Sequence, residues 1–373
     1  MQSWKVVLMI FGCLALAWLL APSRTFEYDD EDVVEITYMG PGGPIAGPMG
    51  DSVMAFELES RKAHEKDPSK PVYRVVSGQS GARDQVGDPT RFLISVAGGM
   101  PPDVIYFDRF AVAEWAARGA FTPLDSFIEN DLRRGDPDAV EPDRYYKAAW
   151  DEATYQGKVY GIPISIDNRA LLYNKDLFRR AGLVDESGEP VPPKNWTELR
   201  EYAKKLTQRD RNGNVRVLGF APNYGNSWLY IYGWMNGARF MSEDGTQCLL
   251  NEERVVEALQ FMVDIYDDAG GYEAVSAYQA GFQGGTLDPL LTGKIAMKID
   301  GYWQMSFLAQ FGRDVDVGVA GAPTSERYFE ESGQPAVSWT GGWSLAIPVN
   351  AQHKEAAWEF IRFLSSDRAW RIR

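Results

Sequence analysis

Two carboxylates and a set of indole rings are the side chains best placed to do chemistry in this chain. Asp108 ends PPDVIYFD, whose apolar run reads as a strand, and open α/β sheets bind ligands beyond the carboxyl ends of their strands. Residues 77–80 (SGQS) fall at the same kind of edge and put Ser80 there. Asp167 and Asn168 interrupt the apolar stretch YGIPISIDNRALLY, where a core strand has no use for charge. Between 223 and 240, NYGNSWLYIYGWMNGARF mixes Asn223, Tyr224 and Trp228 with glycine and further rings. Such mixtures suit sugars, because the CH face of a pyranose lies on an aromatic plane while its hydroxyls need carboxylate or amide partners. Tyr230 and Tyr232 fit a buried aromatic helix instead. Two carboxylates with several tryptophans also serve glycoside hydrolysis, and spacing alone does not separate cleavage from binding.

Composition narrows the choice. At 373 residues the chain exceeds one hydrophobic core and suggests two domains, and 12 Trp, 18 Tyr and 18 Phe supply more ring surface than packing needs. A net charge of −14 argues against a nucleic-acid partner, whose phosphates demand a basic footprint. Cys13 and Cys248 cannot form a disulfide within the mature domain or a thiolate metal cluster. His64 and His353 stand in the hydrophilic contexts RKAHEKD and AQHKEAA, read as solvated helix surface. The Gly/Pro-rich loop GPGGPIAGPMGD lacks the GK[ST] that would grip a phosphate, and DRNGN at 210–214 reads as a tight turn rather than a calcium loop. No catalytic residue, cofactor or metal ligand is assigned.

The elements that must position these groups alternate between strand and helix. VVEITYM (33–39), PVYRVVSG and PPDVIYFD read as strands, separated by the helical AFELESRKAHEKD and DQVGDPTRFLISVAGG. Asn195 and Glu198 have capping-box spacing ahead of a helix to Leu206, and residues 251–269 place Val255, Val256, Leu259, Met262, Val263 and Tyr266 on one stripe. Residues 1–22 form an apolar signal peptide or membrane anchor after Lys5, followed by an acidic linker at 23–32. Cleavage at a lipoprotein-like box ending in Cys13 would leave LALAWLLA on the mature end.

Four segments in order carry a resemblance: the PDV…EWAARGAFTPLDSFI run, PISIDNRALLYNKDLF, LLTGKIAMKIDGYWQM and SWTGGWSLAIPVNAQHKEAAWEFIRFLSS. They resemble the extracellular solute-binding proteins of the sugar-binding group, the maltose-binding-protein-like receptors of ABC importers. The resemblance implies an α/β, two-lobed, type II periplasmic-binding-protein fold with the ligand cleft between lobes. Lobe 1 would comprise 33–165 plus 325–364, and lobe 2 166–324 plus 365–373. By resemblance the protein captures a carbohydrate by hinge closure and delivers it to permease subunits with their cytoplasmic ATPase, in a periplasmic or extracytoplasmic setting; a membrane-tethered sensor is the alternative. Asp167 and Trp303 take ligand roles from matched motif positions. Asp108 would accept hydroxyls, Trp228 and Trp343 would stack, and Gly341 and Gly342 would admit backbone close to ligand or simply make a turn. Family members continue beyond the equivalent of Arg373, so the expectation is a second lobe left short at its C-terminal end.

Overall fold

The computed structural model describes residues 33–41, 46–77 and 90–373. The signal or anchor segment, the acidic linker and Ser80 lie outside the described residues, among which no helix is long and apolar enough to cross a membrane.

The chain opens with strand β1 (Val33–Met39), helix α1 (Ala46–Lys66), β2 (Val72–Ser77), α2 (Thr90–Ala97) and β3 (Val104–Asp108). The Gly/Pro-rich stretch expected to be loop is helical from Ala46, and Pro48 is tolerated because first-turn amides have no intrahelical acceptor anyway. After a short β4 (Ile162–Pro163) come β5 (Asp167–Asn174), α3 (Trp196–Leu206), β6 (Gln208–Arg209), β7 (Val215–Phe220), α4 (Leu229–Met235) and α5 (Glu253–Asp268). They are followed by β8 (Ile295–Gly301), α6 (Trp303–Phe311), β9 (Val317–Ala320), β10 (Thr340–Gly341), β11 (Trp343–Ala346), α7 (Lys354–Ser365) and α8 (Asp367–Ile372).

These strands form two sheets, ordered β2-β1-β3-β11-β4 and β9-β5-β8-β7-β6, with β10 also paired to β5. In the first sheet β1 runs parallel to β2 and β3, and β3 (VIYFD) is buried up to its last residue, as a central strand covered on both faces must be. One face packs Ile36, Tyr38 and Phe56 against Phe360, Ile361 and Leu364 of α7; the other packs Phe92, Phe107, Trp115 and Phe121. The second sheet builds its own core from Leu171, Tyr173, Phe178, Leu199, Phe220 and Ile299. Each such side chain contributes about 1.5–3 kcal/mol on burial.

Local signals fix the edges. Asn195 Oδ1 accepts the amide of Glu198 at 2.8 Å, and Glu198 Oε2 reaches back to the amide of Lys194 at 2.8 Å, one residue before the expected partner. At 210–214 Asp210 Oδ1 accepts from the amides of Asn212 and Asn214, and Gly213 takes φ 84°, which makes the expected turn. On α5 the buried face is Val255, Ala258, Phe261, Met262, Ile265 and Tyr266, whereas Val256, Leu259 and Val263 are exposed. The helix is rotated from the expected stripe because Phe261 stacks on Trp196 of α3, with ring centroids 4.1 Å apart.

Two stretches pack on the opposite lobe from the one the sequence suggests. Residues 325–339 stay with the second core: Ser325 Oγ donates to Asn236 Oδ1 at 2.6 Å, Arg254 pairs with Glu331 at 2.7 Å, and Val337 and Trp339 cover apolar surface there. The reason is that the chain pairs with β5 through β10 before it enters the first sheet at β11. Residues of α8 lie on the first lobe, where Ala369 is buried in the core, Ser52 Oγ donates to its carbonyl at 3.4 Å and Arg368 pairs with Glu59 at 2.6 Å.

Candidate functional site

Two antiparallel strands of chain cross between the lobes side by side. Ile164 donates its amide to Trp343 O at 2.8 Å, Trp343 donates to Ser165 Oγ at 3.1 Å, and Gly341 donates to Asp167 Oδ1 at 3.1 Å. Arg109, fully buried at the end of β3, ties this ribbon to the first lobe. Its Nη1 donates to Ser165 O at 2.6 Å, Nη2 to Gly341 O at 2.7 Å, Nε to Glu152 Oε2 at 2.6 Å, and its amide to Gly342 O at 3.0 Å. A buried guanidinium is tolerable only when its donors are met and a carboxylate balances its charge, and both conditions hold. Gly342 has φ 143°, and a side-chain carbon there would collide with Ser165 O and the Arg109 guanidinium. What approaches the backbones of Gly341 and Gly342 in this structure is the protein itself.

The cleft walls rise on either side of the ribbon. The first-lobe wall carries Asp108, which faces Trp343 across the β3–β11 ladder, and Tyr106, whose ring stacks on Trp343 at 4.7 Å and 18°. The second-lobe wall is a ring cluster around Arg169, whose guanidinium lies 3.7 Å from the Trp339 ring and 4.8 Å from the Trp303 ring. Arg169 Nε donates to Asn226 Oδ1 at 2.6 Å, and the guanidinium pairs with Asp167. Trp228 and Tyr230 extend the cluster, with Trp228 6.4 Å and Tyr230 5.4 Å from Trp339. Trp303 heads α6, next to the exposed Tyr302.

The electrostatics join the walls. Burial pushes the Asp108 carboxyl up to about 6; the amide of Phe110 and the Arg109 guanidinium oppose the rise, and the Asp167 and Glu152 carboxylates add to it. Tyr230 is raised by burial, with Arg169 lowering it and Asp108 raising it further, so this second-lobe hydroxyl senses a first-lobe carboxylate. Tyr106 is raised by burial and by Tyr302 opposite.

The structure therefore brings Asp108, Asp167, Trp228, Trp303, Trp343, Gly341 and Gly342 to one junction. Asn223 and Tyr224 stand apart, in a recess with Phe282 and Lys298. Tyr232 is buried as expected and donates to Pro222 O at 2.9 Å, but Tyr230 is half-buried and belongs to the cleft cluster.

A matching relationship extends along most of the chain: the bacterial extracellular solute-binding protein family matches residues 65–369. The chain belongs to that family. Among solved structures, mannobiose-bound CpMnBP1 is 28% identical with a TM-score of 0.70, covering 89% of this chain and 77% of that one. Lmo0181 from Listeria monocytogenes, in complex with cycloalternan, shares the fold at 24% identity and a TM-score of 0.71, over 92% of this chain and 78% of that one. A putative binding protein of Brucella abortus (strain 2308) is 25% identical over 290 residues, 74% of this chain and 61% of its own length. The mannitol-binding protein of Pseudomonas aeruginosa is 26% identical over 266 residues, 71% of this chain and 56% of its own. This solute-binding protein thus spans less than two thirds of the length of those relatives.

Four residues of this solute-binding protein's junction escape a reading of the sequence alone. Arg169 lies two positions after Asp167, on the same face of β5, a spacing that could have revealed it. Arg109 and Tyr302 each sit beside a residue already singled out and Trp339 lies two positions before Gly341, yet nothing local distinguishes their rings or charge from packing.

Proposed function

We propose that this chain captures a carbohydrate between its two walls and passes it to an ABC-type import permease. The observation that carries the reading is the pairing of a half-buried, unbridged carboxylate on one lobe with a tryptophan-rich surface on the other, at a junction made of two strands. Asp108 accepts ligand hydroxyls, which favour its ionised form, and Trp228, Trp303 and Trp343 offer ring faces to the sugar. Asp167 already accepts from Gly341 and Arg169, so its role is to hold the Arg169 guanidinium between Trp303 and Trp339. Closure is driven by contacts to both lobes that the open state lacks. The mannobiose and mannitol named for relatives make short saccharides and polyols the first ligands to try. The site binds without turnover, and the apolar segment of residues 1–22 directs export or tethers the domain outside the cytoplasm.

A thermal-shift screen of the purified chain against sugars, polyols and sugar phosphates tests this, because a ligand that binds only the folded state raises the melting temperature. A rise with one saccharide, and no cleavage product from it, supports the reading. A cooperative transition that no carbohydrate moves, or release of product, contradicts it.

A further inference from the structure

A second recess lies on the other face of the second sheet. Along β8, Met297 and Ile299 join the second core, as do Leu171 and Tyr173 on the Arg169 face of β5, while Lys298 and Asp300 turn the opposite way. Lys298 is buried to 1% exposure and donates to Asp288 at 2.7 Å and Asp300 at 3.1 Å. Gln304, 4% exposed, donates Nε2 to Asp300 Oδ2 at 2.8 Å, and its Oε1 is buried with no hydrogen-bond partner. These groups line a recess of about 440 Å³, with Tyr224, Phe282 and Phe307 as apolar wall. Tyr224 meets Phe282 edge-on at 5.0 Å.

We infer that this recess is a second ligand site, separate from the cleft, for a small polyhydroxylated molecule. Gln304 lines the recess, and its buried amide oxygen without a partner calls for a donor. Lys298 has three N–H groups and two carboxylate partners, so one donor is left to the recess. A hydroxyl both donates and accepts, so a vicinal diol satisfies Gln304 Oε1 and Lys298 together while its CH edges lie on Tyr224 and Phe282. An anion would meet Asp288 and Asp300, and an amine would leave Lys298 beside a second cation; neither matches this set. The site does not rest on the reading of the cleft, because it uses none of the cleft's residues.

Saturation-transfer NMR on the whole chain with glycerol, erythritol and myo-inositol as probes tests it. Signal transfer to at least one probe is expected in the native chain and should persist in Trp303→Ala, which removes a ring of the cleft and none of the recess. In the Trp303→Ala background, Gln304→Met should weaken it about tenfold or more, as expected for loss of a buried hydrogen bond. Gly284→Phe is a blocking variant that does not depend on Gln304: a carbon added at Gly284 meets no atom within 4 Å, so the ring can enter the recess without straining the fold. No transfer in the native chain, transfer lost on Trp303→Ala alone, or transfer unchanged when Gly284→Phe is added to a folded Trp303→Ala would each overturn the inference.

Discussion

Asp108 and Asp167 face one another across the cleft in opposite circumstances. Asp167 is held by Arg169 and the amide of Gly341, both within its own half of the junction. Asp108 makes no ion pair among the described residues, and burial with a neighbouring carboxylate pushes it up to about 6. The difference teaches that a carboxylate in a cleft is not by itself a ligand group. The tied one builds the wall, and the untied one, whose ionised form burial disfavours in spite of the Phe110 amide, is the one we propose for a ligand.

Cutting the tie should have the largest effect. Arg169→Leu leaves Asp167 buried without its cation and strips the guanidinium from between Trp303 and Trp339, at a cost of about 3–5 kcal/mol in urea unfolding. A loss under about 1 kcal/mol would place the pair among ordinary surface bridges. The untied carboxylate should behave in the reverse sense. Its folded pKa of about 6 lies above the usual 3.8, so the fold favours the protonated form; that stabilisation is complete below pH 3.8 and is lost as pH rises through about 6. Asp108→Asn should therefore raise stability at pH 7 by about 1–3 kcal/mol, and the gain should vanish near pH 4. Melting curves of both proteins across that range check it, and a destabilised variant at pH 7 would mean that the Phe110 amide and the Arg109 guanidinium outweigh the cost of burying the carboxylate. Smallest is the pH dependence of binding: sugar affinity should fall as pH drops through about 6, by at most about tenfold per unit, and calorimetry on Asp108→Asn should show a flat profile there.

Much of the architecture was legible because parallel strands announce themselves. VVEITYM and PPDVIYFD became β1 and β3, and Ala357, Phe360, Ile361 and Leu364 of α7 are all buried in the first core as their spacing suggests. The α5 stripe was misplaced by one helical face because Val256 and Leu259 have the same hydropathy as their buried neighbours, and only the Trp196–Phe261 stack decides which side turns inward. The site was legible as single residues and not as a network. Asp108, Asp167 and Trp303 announce themselves by type and position, but that Arg169 sits between Trp303 and Trp339 and that Arg109 grips Ser165 and Gly341 depend on pairings across 50 residues or more, on which local pattern is silent.

The most direct test of a ligand shared between the two walls is a calorimetric double-mutant cycle with the saccharide that most stabilises the chain, using Asp108→Asn on the first lobe and Trp303→Ala on the second. Each single variant should weaken binding by about 2–3 kcal/mol, and the pair should lose less than the sum because closure needs both contacts. Native affinity in either folded single variant would contradict a carbohydrate bridging the cleft.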